Sequence, residues 1–168
     1  TYTYTVTDAN GCTATTTGNI AQPTVLSASS TFTTIACNGG NSTVTVTASG
    51  GTAPYTGVGT FSRTAGAYTF TVTDANGCIS TTTGNITQPT VLTAAATAGT
   101  ISVPGGSTTV TVTASGGTAP YTGTGTFTRT AGTYTFTVTD SRGCTAQATV
   151  TITEPGAGLT ASATATTI

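Results

Sequence analysis

The chain has 168 residues, carries three Lys or Arg against four Asp or Glu for a net charge of −1, and gives 52 positions to Thr and 22 to Gly. Three scattered Arg cannot neutralise a run of phosphates, which argues against nucleic acid. No apolar run approaches the roughly 20 residues of a membrane-spanning helix. The abundance of β-branched residues favours strands over helices. Apolar alternation in VTVTA (44–48), FTV (70–72) and VTVTA (110–114) separates the chain from a disordered Thr-rich stalk.

In chain order, TYTYTVTD (1–8) reads as a strand that turns through DANG (8–11) into Cys12. The unit that follows predicts an A strand near 31–37, a turn at NGGN (38–41), a B strand over 42–48 and a Gly-Pro turn over 49–54. A C strand starts at Tyr55 and is interrupted by Gly57 and Gly59. Another strand near 60–64 precedes the Ala65-Gly66 turn. An F strand covers 67–73, DANG (74–77) turns, and a G strand runs from Cys78 towards Gln88-Pro89. Short strands at this spacing with Gly-rich turns predict an immunoglobulin-type β-sandwich. Tyr68, Phe70, Val72, Val44, Val46 and Ala48 are expected to face its core, with Tyr68 and its counterpart Tyr134 at a tyrosine corner.

The same phrases recur at a fixed interval. Cys12, Cys78 and Cys144 are spaced 66 and 66 residues apart, and 28 of 31 positions agree between 44–74 and 110–140. The fold expected is therefore all-β: tandem immunoglobulin-like sandwiches of about 66 residues, arranged as beads on a string. Residues 1–25 read as the back of one repeat, 26–91 and 92–158 as two whole repeats, and 159–168 as the start of another. The piece reads as a window on a longer array.

A 66-residue sandwich has a marginal core, and a Cys37–Cys78 disulfide within one repeat is the expected compensation. Closing a loop of about 40 residues would stabilise by roughly 4 kcal/mol in the chain-entropy view and imply an oxidising compartment. Val103 stands where Cys37 aligns, which leaves Cys144 without a partner of this kind.

The Asp-Gly pairs Asp8 and Gly11, Asp74 and Gly77, and Asp140 and Gly143 read as hairpin turns, with Asp bonding the backbone and Gly taking the left-handed position. Calcium wants six to eight oxygens from several groups, and each turn supplies one acid, so no metal or other cofactor is expected. T-x-T arrays (43–47, 69–73) read as outward-facing Thr on twisted strands rather than a flat ice-binding ladder. Arg63 and Arg129 read as solvated gatekeepers on a sheet, and Glu154 as a linker residue. Catalysis lacks materials: there is no His, the carboxylates sit singly, and no CxxC spacing occurs. No enzyme activity is expected.

CNGG (37–40), SGGTAPYT (49–56), GAYTFTVTDANGC (66–78) and the Gln-Pro or Glu-Pro ending together resemble the SprB-type repeat of Bacteroidota gliding-motility and cell-surface adhesins. The resemblance covers almost every residue. It departs from the pattern at DSRGC (140–144), and at GVGTFSRT (57–64), where the family often carries a longer, Trp-containing stretch. The resemblance implies a very large secreted protein at the bacterial cell surface, exported by a dedicated secretion system. Its expected partners are other copies in a fibre or filament, and possible surface glycans. The expected function is a structural or adhesive stalk; the alternative is an adhesin module with a glycan or calcium site in each repeat.

Overall fold

A computed structural model of the chain describes residues 1–156, 162 and 163. It is all-β, with thirteen strands and no helix among the described residues. These are β1 (Tyr2–Thr7), β2 (Thr13–Gly18), β3 (Ser27–Phe32), β4 (Ser42–Ser49), β5 (Gly59–Arg63), β6 (Gly66–Thr73) and β7 (Ile79–Ile86). They continue as β8 (Thr93–Ala98), β9 (Ser107–Ser115), β10 (Tyr121–Thr122), β11 (Gly125–Thr130), β12 (Gly132–Asp140) and β13 (Thr145–Ile152). No described helix is long and apolar enough to cross a membrane. The stretch 159–168, expected to open a further repeat, lies outside the described residues except for Ser162 and Ala163.

The strands fall into two compact units: Thr1–Phe32, Thr43–Phe61 and Ala67–Gly84 form one, and Thr33–Ser42, Ser62–Gly66 and Asn85–Ile168 the other. In the second unit, β8, β9 and β11 form a sheet in the order β11-β9-β8, and β10, β12 and β13 form another in the order β10-β12-β13. Each contributes its apolar face to one core, as in a β-sandwich. Val110 and Val112 of β9 meet Phe136 and Val138 of β12, with Ile152 of β13 and Ile101 from the loop before β9 closing the cluster. Phe127 of β11 joins the layers, its ring centroid 5.1 Å from that of Phe136.

The remaining sheets, β3-β4-β5 and β6-β7, lie mainly in the first unit. Val44, Val46, Phe70 and Val72 are buried there, and Phe61 approaches Phe70 with ring centroids 5.6 Å apart. The C strand is reduced to a single bridge, Thr56 to Thr73. The β1–β2 hairpin leaves its whole length exposed, Tyr2, Tyr4 and Val6 included.

The 66-residue recurrence reappears in hydrogen-bond register. Tyr2 faces Gly18 on β1–β2, and Tyr134 faces Val150 on β12–β13, a displacement of two repeat lengths. Likewise Ser27 faces Ser49 and Thr93 faces Ser115.

The strand expected near 31–37 lies earlier in the chain: it is β3, Ser27–Phe32, and 33–41 is loop. Its inward positions hold the small residues Ala28 and Ser30, and a large apolar one, Phe32, only at its end. They lie close to β7, with the Ala28 N–H donating to Ser80 Oγ at 3.1 Å and Ser30 Oγ 3.1 Å from Thr82 Oγ1. Ala94, Ala96 and Ala98 do the same work in β8.

The outward Thr rows are paired across strands rather than left to water alone. Thr133 and Thr151, and Thr135 and Thr149, bring their hydroxyl oxygens to 3.0 Å. Such pairs keep an uncharged face polar and lend the sheet cross-strand support.

Candidate functional site

The features that recur most regularly are the turns ending in Gly-Cys, so the site is built from them. In each, the Asp N–H donates to the carbonyl of the fourth residue on: Asp140 to Cys144 at 2.9 Å, Asp74 to Cys78 at 3.0 Å and Asp8 to Cys12 at 2.9 Å. Gly11, Gly77 and Gly143 take φ of 85°, 81° and 83°, the left-handed region that glycine enters without strain. The Asp carboxylate completes the turn. Asp140 Oδ1 accepts from the N–H groups of Arg142 and Cys144, both at 2.9 Å; Asp74 does so from Asn76 and Cys78, and Asp8 from Asn10 and Cys12.

The second oxygen has a longer reach. Asp140 Oδ2 accepts from Thr118 N–H at 2.9 Å, and Asp74 Oδ2 from Thr52 N–H at 2.9 Å. The Asp is thus a bolt between the F–G turn and the B–C loop, 22 residues earlier. Gly117 lets that loop approach: at φ 58°, a Cβ there would stand 2.7 Å from Asp140 Oδ2 and press on Leu92. The carboxylate of each bolt therefore faces N–H donors, which favour its anionic form and would repel a cation. Among the described residues, no three His, Cys, Asp or Glu gather into a metal-binding group.

Asp74 and Asp140 are buried, 6% and 5% exposed, yet both carboxyls sit below the ordinary value of 3.8. Burial pushes each upward. For Asp74, the N–H donors of Thr52, Cys78 and Asn76 outweigh it; for Asp140, those of Thr118, Cys144 and Arg142 do so, helped by the Arg142 charge. The folded chain then binds these protons less readily than the unfolded one. The stabilisation is complete above the unfolded pKa and is lost as pH falls through the folded value. Thermal unfolding followed by circular dichroism from neutral to acid pH should show a level Tm above about pH 5 and a decline below about pH 4. Asp140→Asn should flatten part of that decline.

The cysteines are arranged differently from the expectation. Cys37 is bonded to Cys144, 107 residues away, with Cα atoms 5.6 Å apart, within the span a disulfide requires. Cys78 and Cys12 are free and exposed. The expected Cys37–Cys78 pairing is therefore corrected. Cys37 does not face the G strand of its own repeat, because the loop 33–42 belongs to the compact unit of residues 85–156. There Cys37 and Asn38 line one cleft with Val91, Leu92, Gly143, Cys144 and Thr145.

The loop has further anchors that the sequence reading missed. Asn38 Nδ2 donates to the Pro89 carbonyl at 2.9 Å, and Gly39 N–H to Gln88 Oε1 at 2.8 Å. One repeat later, Gly105 N–H donates to Glu154 Oε2 at 2.6 Å. The residue before Pro is thus an acceptor for the glycine N–H of the A–B turn, which gives Glu154 a role that a linker would not have. The signal was present: Gln88 and Glu154 keep the same 66-residue offset as Gly39 and Gly105.

Two further tyrosines reach back to an upstream carbonyl: the Tyr55 and Tyr121 hydroxyls donate to Gly50 and Gly116 at 2.6 Å. Tyr134 is half-buried against the core, with its hydroxyl oxygen 3.3 Å from Thr130 Oγ1. Tyr68 is half-buried and stacked near Phe70, ring centroids 6.2 Å apart. Arg129 is half-buried rather than a solvated gatekeeper. Its guanidinium carbon lies 5.6, 5.5 and 5.7 Å from the ring centroids of Phe127, Tyr134 and Phe136, a cation–π cluster that closes the sandwich edge.

Compared with known proteins, the chain matches no family model and no curated protein.

Proposed function

We propose that the chain is a structural, adhesive segment of a large secreted bacterial surface protein, built of tandem immunoglobulin-like repeats that form an extracellular stalk, fibre or filament. One observation carries the reading: between 44–74 and 110–140 the loops recur as faithfully as the strands, down to the bolt from Asp74 or Asp140 to the B–C loop. A family of ligand sites would vary its loops on constant strands; a load-bearing array repeats everything. The disulfide is compatible with an extracellular or periplasmic compartment, and export to the surface is part of the proposal. The near-neutral composition makes cohesion between copies insensitive to salt.

A glycan or calcium site in each repeat has less support. The one carboxylate that recurs in the turns is already engaged by three N–H groups in Asp74 and Asp140. No catalysis belongs to this reading, since the sequence holds no His. Electron microscopy of the native material tests it. Fibres whose axial repeat matches one bead are expected; monodisperse, isolated particles at high concentration would overturn it.

A further inference from the structure

Among the described residues, the platform that holds Cys144 occurs twice, and one copy is occupied. Around Cys144, Leu92 lies against Gly117, Gly117 against the Asp140 carboxylate, and Asp140 Oδ1 accepts the Cys144 N–H. Around Cys78, Leu26 lies against Gly51, Gly51 against the Asp74 carboxylate, and Asp74 Oδ1 accepts the Cys78 N–H at 2.8 Å. The sequence repeats with the geometry: PTVL precedes both platforms, at 23–26 and 89–92. At the first platform, a Cys-bearing loop is seated, covalently bonded through Cys37 and with Cys144 Sγ 3.4 Å from the Ala36 carbonyl. At the second, the thiol of Cys78 is free and exposed. Its flanking apolar side chains, Val25 and Ile79, are 87% and 68% exposed.

We infer that the surface formed by Val25, Leu26, Cys78 and Ile79 is a receptor for a loop of the Cys37 type carried by another repeat, and that the two become joined by a disulfide. The occupied platform supplies the occupant's chemistry: a short loop with a thiol followed by Asn-Gly-Gly. Two thiols lose two protons and two electrons as the S–S bond forms. A small-molecule disulfide accepts them and leaves as two thiols. The link is directional. The A–B loop of one repeat gives the cysteine, and the F–G turn of the next receives it. The third repeat interrupts the series, because its A–B loop carries Val103, 59% exposed, in place of the cysteine.

The inference rests on the tandem-array reading for the identity of the occupant, and its test addresses the surface alone. The full chain, with Cys37–Cys144 intact, is incubated with a synthetic peptide of the sequence of residues 34–42 in a glutathione redox buffer. Cys12 is an internal control, because it ends the same Asp-Gly turn with no Val-Leu pair beside it among the described residues. The three Arg allow tryptic peptides to separate the sites: Cys12 falls in 1–63 and Cys78 in 64–129. Peptide adduct is expected on Cys78 about tenfold over Cys12, and about tenfold over a scrambled peptide, a difference of about 1.4 kcal/mol. Val25→Asp, at an exposed position, should erase the preference without unfolding the chain. Equal adduct on the two cysteines, or equal adduct with the scrambled peptide, would overturn the inference. Isolated particles that still select the peptide would overturn the fibre reading and leave this one standing; fibres with no selection would do the reverse.

Discussion

Reducing the Cys37–Cys144 bridge, or replacing Cys144 with serine, is expected to lower stability by about 4–5 kcal/mol. In the chain-entropy view, a cross-link across 107 residues removes more freedom from the unfolded chain than any shorter closure within one repeat would. Without the bond, the loop 33–42 keeps its hydrogen bonds from Asn38 to Pro89 and from Gly39 to Gln88, each worth only about 1 kcal/mol net. Thermal melts with and without reductant should differ by roughly 10–20 °C. A non-reducing tryptic digest checks the connectivity first. Peptide 1–63 should carry 143–168; a Cys37–Cys78 bond would join 1–63 to 64–129 instead. Cleavage after Phe32 then assigns the bond to Cys37 rather than Cys12.

Phe136→Ala should cost about 3–5 kcal/mol, the range for emptying a large buried aromatic site. Phe136 is 8% exposed and is the one aromatic among the buried members of its core, otherwise Val and Ile. Its ring also meets Phe127 at 5.1 Å and lies 5.7 Å beneath Arg129, so truncation removes contacts in three directions. A sandwich of this size has only about 5–15 kcal/mol in total, and the loss would leave the unit near its midpoint at moderate temperature. Urea unfolding monitored by circular dichroism gives the measurement. Phe136→Leu, which keeps most of the volume, should cost less than about 1.5 kcal/mol.

Legibility in the sequence followed the physics of each signal. The F–G hairpins were readable because TVTD followed by Gly combines a two-residue period with a turn that only glycine completes, and Gly143 at φ 83° fills that place. The B strands were readable from Val-Thr alternation, and Val44, Val46, Val110 and Val112 are almost wholly buried. The A strands were displaced because Ala and Ser at inward positions carry no hydrophobic amplitude; closeness to the G strand, not size, is what they provide. Disulfide pairing failed for a different reason. Four cysteines permit three complete pairings, and no local pattern in 33–42 marks it as a loop that joins the unit of residues 85–156. The role of Tyr55 and Tyr121 was not legible, because a hydroxyl that bonds back to Gly50 or Gly116 depends on how the B–C loop doubles back rather than on any periodicity.

Tension gives the Cys37–Cys144 bond a further meaning. Pulled from its two ends, the chain transmits force through the S–S bond, and the backbone between positions 37 and 144 is spared. At roughly 3.5 Å per extended residue, the 107-residue separation corresponds to roughly 370 Å of contour held in reserve. That length becomes available only to a reductant, so the extensibility of the segment is set by the redox state of its surroundings rather than by the strength of its sheets.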